Sequence, residues 1–178
     1  MTHGIRLVGN SIIRVTVILA LVLAPSIYSY GADTGVQVHL DTQKANPRAV
    51  ESLTEVGIVR DYRLAWTSIG QALELNTLDP LEGLFAGDAK QWLKDTVASQ
   101  RRSGLSQRYS QQNHRLEAVF YAPEGDVIEL HDTAEYQLQV SDGNKVIGDE
   151  HVVVHYVVLM TPGADRWVIR QLQAVPGF

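Results

Sequence analysis

The chain has no cysteine, so it can form neither a disulfide framework nor a lipobox for lipid attachment. It has no run of Lys and Arg longer than Arg101-Arg102, and its net charge is −5 at pH 7. Nucleic acid requires a basic face, and this composition does not supply one. A Gly-rich phosphate loop, a Gly-x-Ser-x-Gly elbow and a His-Glu-x-x-His pair are all missing, which removes the enzyme classes that announce themselves by such local motifs. No internal repeat is visible. What remains is a chain of ordinary composition whose information lies in its periodicities.

Arg6 and Arg14 precede Val15–Ala24, an apolar run broken only by Thr16, and Pro25 and small residues follow. A membrane span needs about 20 apolar residues, and this run is shorter. A basic start, a short apolar stretch and a polar exit describe a secretory signal. Residues 1–31 are therefore expected to be a signal peptide or, if uncleaved, a membrane anchor, with Ser29-Tyr30-Gly31 or Ile27-Tyr28-Ser29 at the exit. Either alternative puts the rest of the chain outside the cytoplasm, as a secreted or periplasmic domain or one tethered by its N-terminal segment. Residues 32–45 read as a linker in which Val36–Leu40 could form an edge strand. Residues 46–178 suit one domain with its own core.

Asn46-Pro47 has the pattern of a helix cap followed by a first helical residue. From Ala49 to about Leu75, Val59, Tyr62, Trp66, Ile69 and Leu73 recur at spacings of three and four. That spacing predicts one apolar stripe on a helix. Gly57 could mark a break, and Arg60, Asp61, Arg63, Gln71 and Glu74 fall off the stripe toward solvent. Asp79-Pro80 starts a short helix, and Asp88 starts another in which Ala89, Trp92, Leu93 and Val97 share a face. The second ends near Ser103-Gly104, where glycine suits a left-handed terminal residue. Ser106–His114 is polar and reads as a loop or the outer lead-in to a strand.

Beyond it the period changes to two. Leu116–Ala122 is followed by a turn at Pro123–Asp126. In Val127–Val140, Ile128, Leu130, Ala134, Tyr136 and Leu138 alternate with Glu129, His131, Thr133, Glu135 and Gln137. Strict alternation predicts a strand with one buried and one wet face. Asp132 breaks the pattern, since it is an acid at a core-facing position. Gly143-Asn144 is a tight hairpin signal. Glu150–Met160 is apolar at both parities and is expected to be covered on both faces. Arg166–Val175, led by Trp167, closes an antiparallel meander. The fold class is α+β, with N-terminal helices packed on a strongly curved antiparallel sheet.

This order of elements resembles the nuclear-transport-factor-2-like superfamily, whose members share a cone-shaped α+β fold. The resemblance rests on Arg60-Asp61-Tyr62 and Ala65-Trp66 in the first helix, the paired long strands, and Arg166-Trp167-Val168-Ile169 in the last. It covers Asn46 to the C-terminus and implies the fold. It leaves activity open, because one fold hosts many functions. It also implies that exported or tethered members serve as protein-interaction domains in envelope assemblies, and that enzymatic members place acid–base residues inside the cone.

Within the cone, Asp132 and His155 are the candidate catalytic pair. With a two-residue turn at Gly143-Asn144, Asp132 falls opposite His155 and Tyr136 opposite His151. A carboxylate that fixes an imidazole in one tautomer is what a general base needs. A shift of one residue would instead bring His131 and His155 together on the wet face. Tyr62, Trp66 and Tyr136 are the candidate ligand-binding aromatics, although aromatics at this spacing also build a core without any ligand. No metal site is expected, because His151 and His155 lie about 13 Å apart on one strand and zinc ligands must lie within about 2.1 Å of the ion. No cofactor is expected. The leading functional expectation is an exported, non-enzymatic domain that binds a protein partner or pairs with itself through its sheet. The alternative is a small-molecule binder or acid–base enzyme working in the cone interior.

Overall fold

The computed structural model describes residues 35–178. The expected signal or anchor at residues 1–31 lies outside them. Among the described residues no helix is long and apolar enough to cross a membrane. The described residues form one compact unit, and its core runs from Val36 to Leu172.

The elements are β1 (Gln37–Asp41), α1 (Ser52–Leu75), a 3-10 turn at Asp79–Leu81, α2 (Gly87–Ser103), β2 (Leu105–Tyr121), β3 (Ile128–Asp142), β4 (Lys145–Pro162) and β5 (Trp167–Val175). One five-stranded sheet takes them in the order β1-β2-β3-β4-β5. Strands β2 to β5 form the expected antiparallel meander. β1 adds to β2 in parallel, from Gln37 opposite Asn113 to Asp41 opposite Glu117, so the sheet is mixed rather than antiparallel throughout. The stretch read as a linker therefore belongs to the fold, and Val36 and Val38 are part of its core.

α1 starts later than the Asn46-Pro47 pattern suggested. Asn46-Pro47 is a cis bond in the connection before the helix, where Pro47 bridges to Tyr121 and the Asn46 carbonyl accepts the Tyr121 N–H at 3.0 Å. The cap-like residues are thus spent on holding the end of β2. Nor does Gly57 break the helix, which runs unbroken for 24 residues. A Cβ on Gly57 would stand 3.6 Å from the Trp167 ring, an ordinary contact distance, so the start of β5 packs beside the helix at this point. Asn76 ends α1 in the left-handed conformation and its side-chain amide donates to the Leu105 carbonyl at 2.8 Å, tying the helix end to the start of β2. Gly104 ends α2 in the same conformation, as expected.

The helices cover one face of the sheet, where Ile128, Leu130, Asp132, Ala134 and Tyr136 of β3 are buried. β2 is interrupted by bulges at Gln111–Gln112 and at Val119. Gln111 has φ 52, and such bulges bend and twist a strand. β2 also extends back through Ser106–His114, which is strand rather than loop. β4 departs from expectation as well. Among the described residues no helix covers its outer face, and Val153 is exposed. Trp92, placed with the core face of α2 by spacing, is exposed.

Candidate functional site

The polar groups inside the fold converge on Asp132. Its alternation with Leu130 and Ala134 fixes it to the inner face of β3, where it is 0 % exposed. Burying a carboxylate is costly unless it is hydrogen-bonded, and two side chains from other elements meet this one. From α1, the Tyr62 hydroxyl donates to Asp132 Oδ2 at 2.7 Å. From β2, His114 Nδ1 lies 2.8 Å from the same oxygen. A carboxylate oxygen only accepts, so Nδ1–H donates to it in the tautomer this geometry favours. His114 Nε2 and Asp132 Oδ1 are buried with no hydrogen-bond partner among the described residues.

Aromatic rings close this cluster. Trp66, one turn beyond Tyr62 on α1, lies over the His114 ring with centroids 4.4 Å apart, and it also contacts Tyr136 at 6.2 Å and Tyr156 at 5.6 Å. The Tyr136 and Tyr156 hydroxyls meet at 3.3 Å. Burial, reinforced by the neighbouring Asp132 charge, pushes the Tyr62 phenol well above its ordinary range. Burial likewise raises Tyr109, Tyr136 and Tyr156. These phenols stay protonated at neutral pH and act as hydrogen-bond donors and packing surfaces, not as bases.

Asp132, Tyr62, Trp66 and Tyr136 therefore come together in the interior, and His155 does not join them. β3 and β4 leave the hairpin with Asp142 opposite Lys145 and Ser141 opposite Val146, but then Val140 stands opposite Gly148. Ile147 is an extra residue on β4, and one extra residue turns every later side chain to the other face. Asp132 consequently lies opposite Tyr156, and His155 lies opposite Thr133 on the outer face. There the Thr133 hydroxyl is 3.2 Å from His155 Nδ1. Phe178 stacks on His131 with centroids 4.0 Å apart and meets the edge of His155 at 5.3 Å. Tyr136 lies opposite Val152 for the same reason, not opposite His151.

The imidazole that Asp132 does hold is His114, which lies in Ser106–His114, a stretch polar enough to suit a loop but built as strand. A signal was available: Leu116 and Ala118 define the buried parity of β2, and counting back along it gives His114 and Gln112, both buried. Asp61 also departs from expectation. Read as solvated, it is 2 % exposed, accepts the Trp167 backbone N–H at 2.7 Å and takes both forks of the Arg60 guanidinium at 2.7 and 3.0 Å. It anchors β5 to α1.

Depressions in the surface are lined by other residues. One of about 210 Å³ lies between Leu78, Leu81, Phe85 and Leu93, with Lys90 and Lys94 on its rim. Another of about 210 Å³ lies between Gly70 of α1 and Tyr109–Gln112 of β2. Neither is lined by Asp132 or His114.

No family model matches the chain, and no curated protein sequence does. Among solved structures, the chain is similar to the crystal structure of the intermembrane space region of the chloroplast protein ARC6, with a TM-score of 0.56 and 15 % sequence identity. The match covers 72 % of this chain and 98 % of that one. At this identity the likeness is one of fold, a distant α+β relationship.

Proposed function

We propose that this chain is an exported, non-enzymatic domain of the nuclear-transport-factor-2-like kind, with its sheet curved into a cone. It binds a protein partner, or a second copy of itself, through the outer face of the sheet in the cell envelope. The observation that carries this reading is the sealed interior. Asp132 and His114 are both wholly buried, and Trp66, Tyr136 and Tyr156 occupy the space beside them that a ligand would need. With the interior filled by side chains, recognition falls to the surface. The outer face offers His131, His155 and Phe178 beside Val153 and Val157, with Phe120 at one end. Two lines support an envelope setting: the apolar run preceded by Arg6 and Arg14 near the N-terminus, and a fold like that of an intermembrane space domain.

Photo-crosslinking amino acids placed at Thr133 and Val157 on the outer face, and at Leu64 on α1, test this in cells expressing the full chain. Discrete protein adducts are expected from the two sheet positions and none from Leu64. Their absence from Thr133 and Val157 discards the reading.

A second reading, small-molecule binding or acid–base chemistry, keeps one observation in its favour: His114 Nε2 is unpartnered and oriented from behind by Asp132. In that reading the base is His114 and not His155.

A further inference from the structure

The N-terminal half of β4 presents an open sheet edge. β5 pairs with β4 only from His155 to Pro162, whereas β4 begins at Lys145. From Lys145 to Val154, β3 is the strand's only sheet neighbour among the described residues, and no helix borders it. β5 does not run on along this edge. After Val175 the chain passes through Pro176, which has no N–H to give to a ladder, and Phe178 comes to rest on His131 of the outer face.

Such an edge is a row of backbone donors and acceptors ready to pair with another chain. Its side chains decide which chain. Val146, Ile147 and Val153 are 47, 54 and 52 % exposed, and they flank the exposed acids Asp149 and Glu150. In a full-length antiparallel pairing of two β4 copies, Asp149 and Glu150 of one would face Asp149 and Glu150 of the other. Like charges in opposed positions destabilise a strand pair, so the edge disfavours that full-length self-pairing and any strand that brings acids to its centre. The acids do not exclude a strand that brings positive charge to its centre.

We infer that the open edge of β4 from Lys145 to Val154 docks an extended segment of a partner protein. That segment has basic residues at its middle and β-branched residues on either side, and it adds to the sheet as a further strand. The inference rests on the interaction-domain reading and names the partner's chemistry at a surface other than the outer face. Backbone pairing supplies the binding, Asp149 and Glu150 select for charge, and Val146, Ile147 and Val153 lose their exposure.

Two capped heptapeptides test it, one with Lys at its three central positions between pairs of Val and one with Glu at those positions. Each is titrated into the isotope-labelled protein while amide shifts and hydrogen exchange are followed. The Lys peptide is expected to shift and protect amides within Lys145–Val154 and to add no protection at β1, the opposite edge. The Glu peptide is expected to do neither. Reversing both charges, as Asp149→Lys with Glu150→Lys, should swap the preference and weaken the Lys peptide roughly tenfold. Both residues are exposed, so the fold is expected to persist. A silent edge, an equal response to both peptides, or an unswapped preference in the double variant overturns the inference. Protection that rises with protein concentration alone also overturns it, and assigns the edge to a second copy. Outer-face crosslinks at Thr133 and Val157 are read separately, so adducts there alongside a silent β4 edge discard this inference and leave the interaction-domain reading standing.

Discussion

The two faces of β3 follow the same alternation and yet solve opposite problems. On the inner face, Asp132 sits among Leu130, Ala134 and Tyr136, and each of its bonds comes from a different element, Tyr62 from α1 and His114 from β2. On the outer face, His131 and Thr133 meet groups of the sheet and its C-terminal residues, Phe178 and His155. A buried polar group must be satisfied at the moment the layers close, so it couples distant parts of the chain. An exposed one has water as an alternative and can be changed at little cost. The inner polar cluster thus specifies how α1 sits on the sheet, and the outer groups are under no such constraint.

The largest effect that would test this contrast is alkaline. Tyr62, Tyr109, Tyr136 and Tyr156 all have raised values, burial being the first cause for each. In the unfolded chain they ionise near 10.0. The folded state holds its protons to higher pH, so the contribution of these groups is fully present below about pH 10 and is lost as pH rises beyond it. Each fully buried tyrosine costs about 1 kcal/mol per further pH unit, and several act together. Phenolate absorbance should therefore show these four ionising only with loss of tertiary signal. Reversible ionisation of all tyrosines near pH 10 in the folded protein would mean that the inner face is open.

Next in size is Trp66→Ala. Removing a fully buried ring of this kind costs about 3–5 kcal/mol, a large share of an ordinary domain's stability. Calorimetry should show the melting temperature falling by about 10 °C. Asp132→Asn keeps the shape and removes the charge that accepts from both Tyr62 and His114, so a loss of about 2 kcal/mol is expected in denaturant titration. An unchanged midpoint would show that the cluster does not hold α1 to the sheet.

The stripe on α1, the alternation of β3, the hairpin at Gly143-Asn144 and the inward acid at Asp132 were legible because each rests on local periodicity. The partner of Asp132 was not, because its identity depended on one residue. A two-residue turn correctly joins Asp142 to Lys145, and the bulge at Ile147 then offsets every later pair. The turn residues do not mark that bulge; the signal lies further along β4, where only the shifted pairing keeps His151 and His155 off the inner face and turns Val152, Val154, Tyr156 and Val158 inward. Asn46-Pro47 failed differently. Its helix-start pattern is real, but the tertiary bond from the Tyr121 N–H to the Asn46 carbonyl takes precedence over the local preference. Asp61 shows the limit of helical spacing, for it lies beside the apolar stripe and is buried by β5, an element more than a hundred residues downstream.

The smallest effect is the most direct check on register. His155→Ala removes an imidazole from the outer face, where it meets the Thr133 hydroxyl and the edge of Phe178. Both partners keep access to water, so stability should change by no more than about 0.5 kcal/mol. In NMR spectra the His131 ring, stacked on Phe178, should shift, while the His114 ring beneath the sheet should not. Asp132→Asn should do the reverse, moving His114 and leaving His155 in place. If instead His155→Ala disturbed His114 or cost as much as Asp132→Asn, the extra residue at Ile147 would be misplaced. His155 would then return to the inner face opposite Asp132.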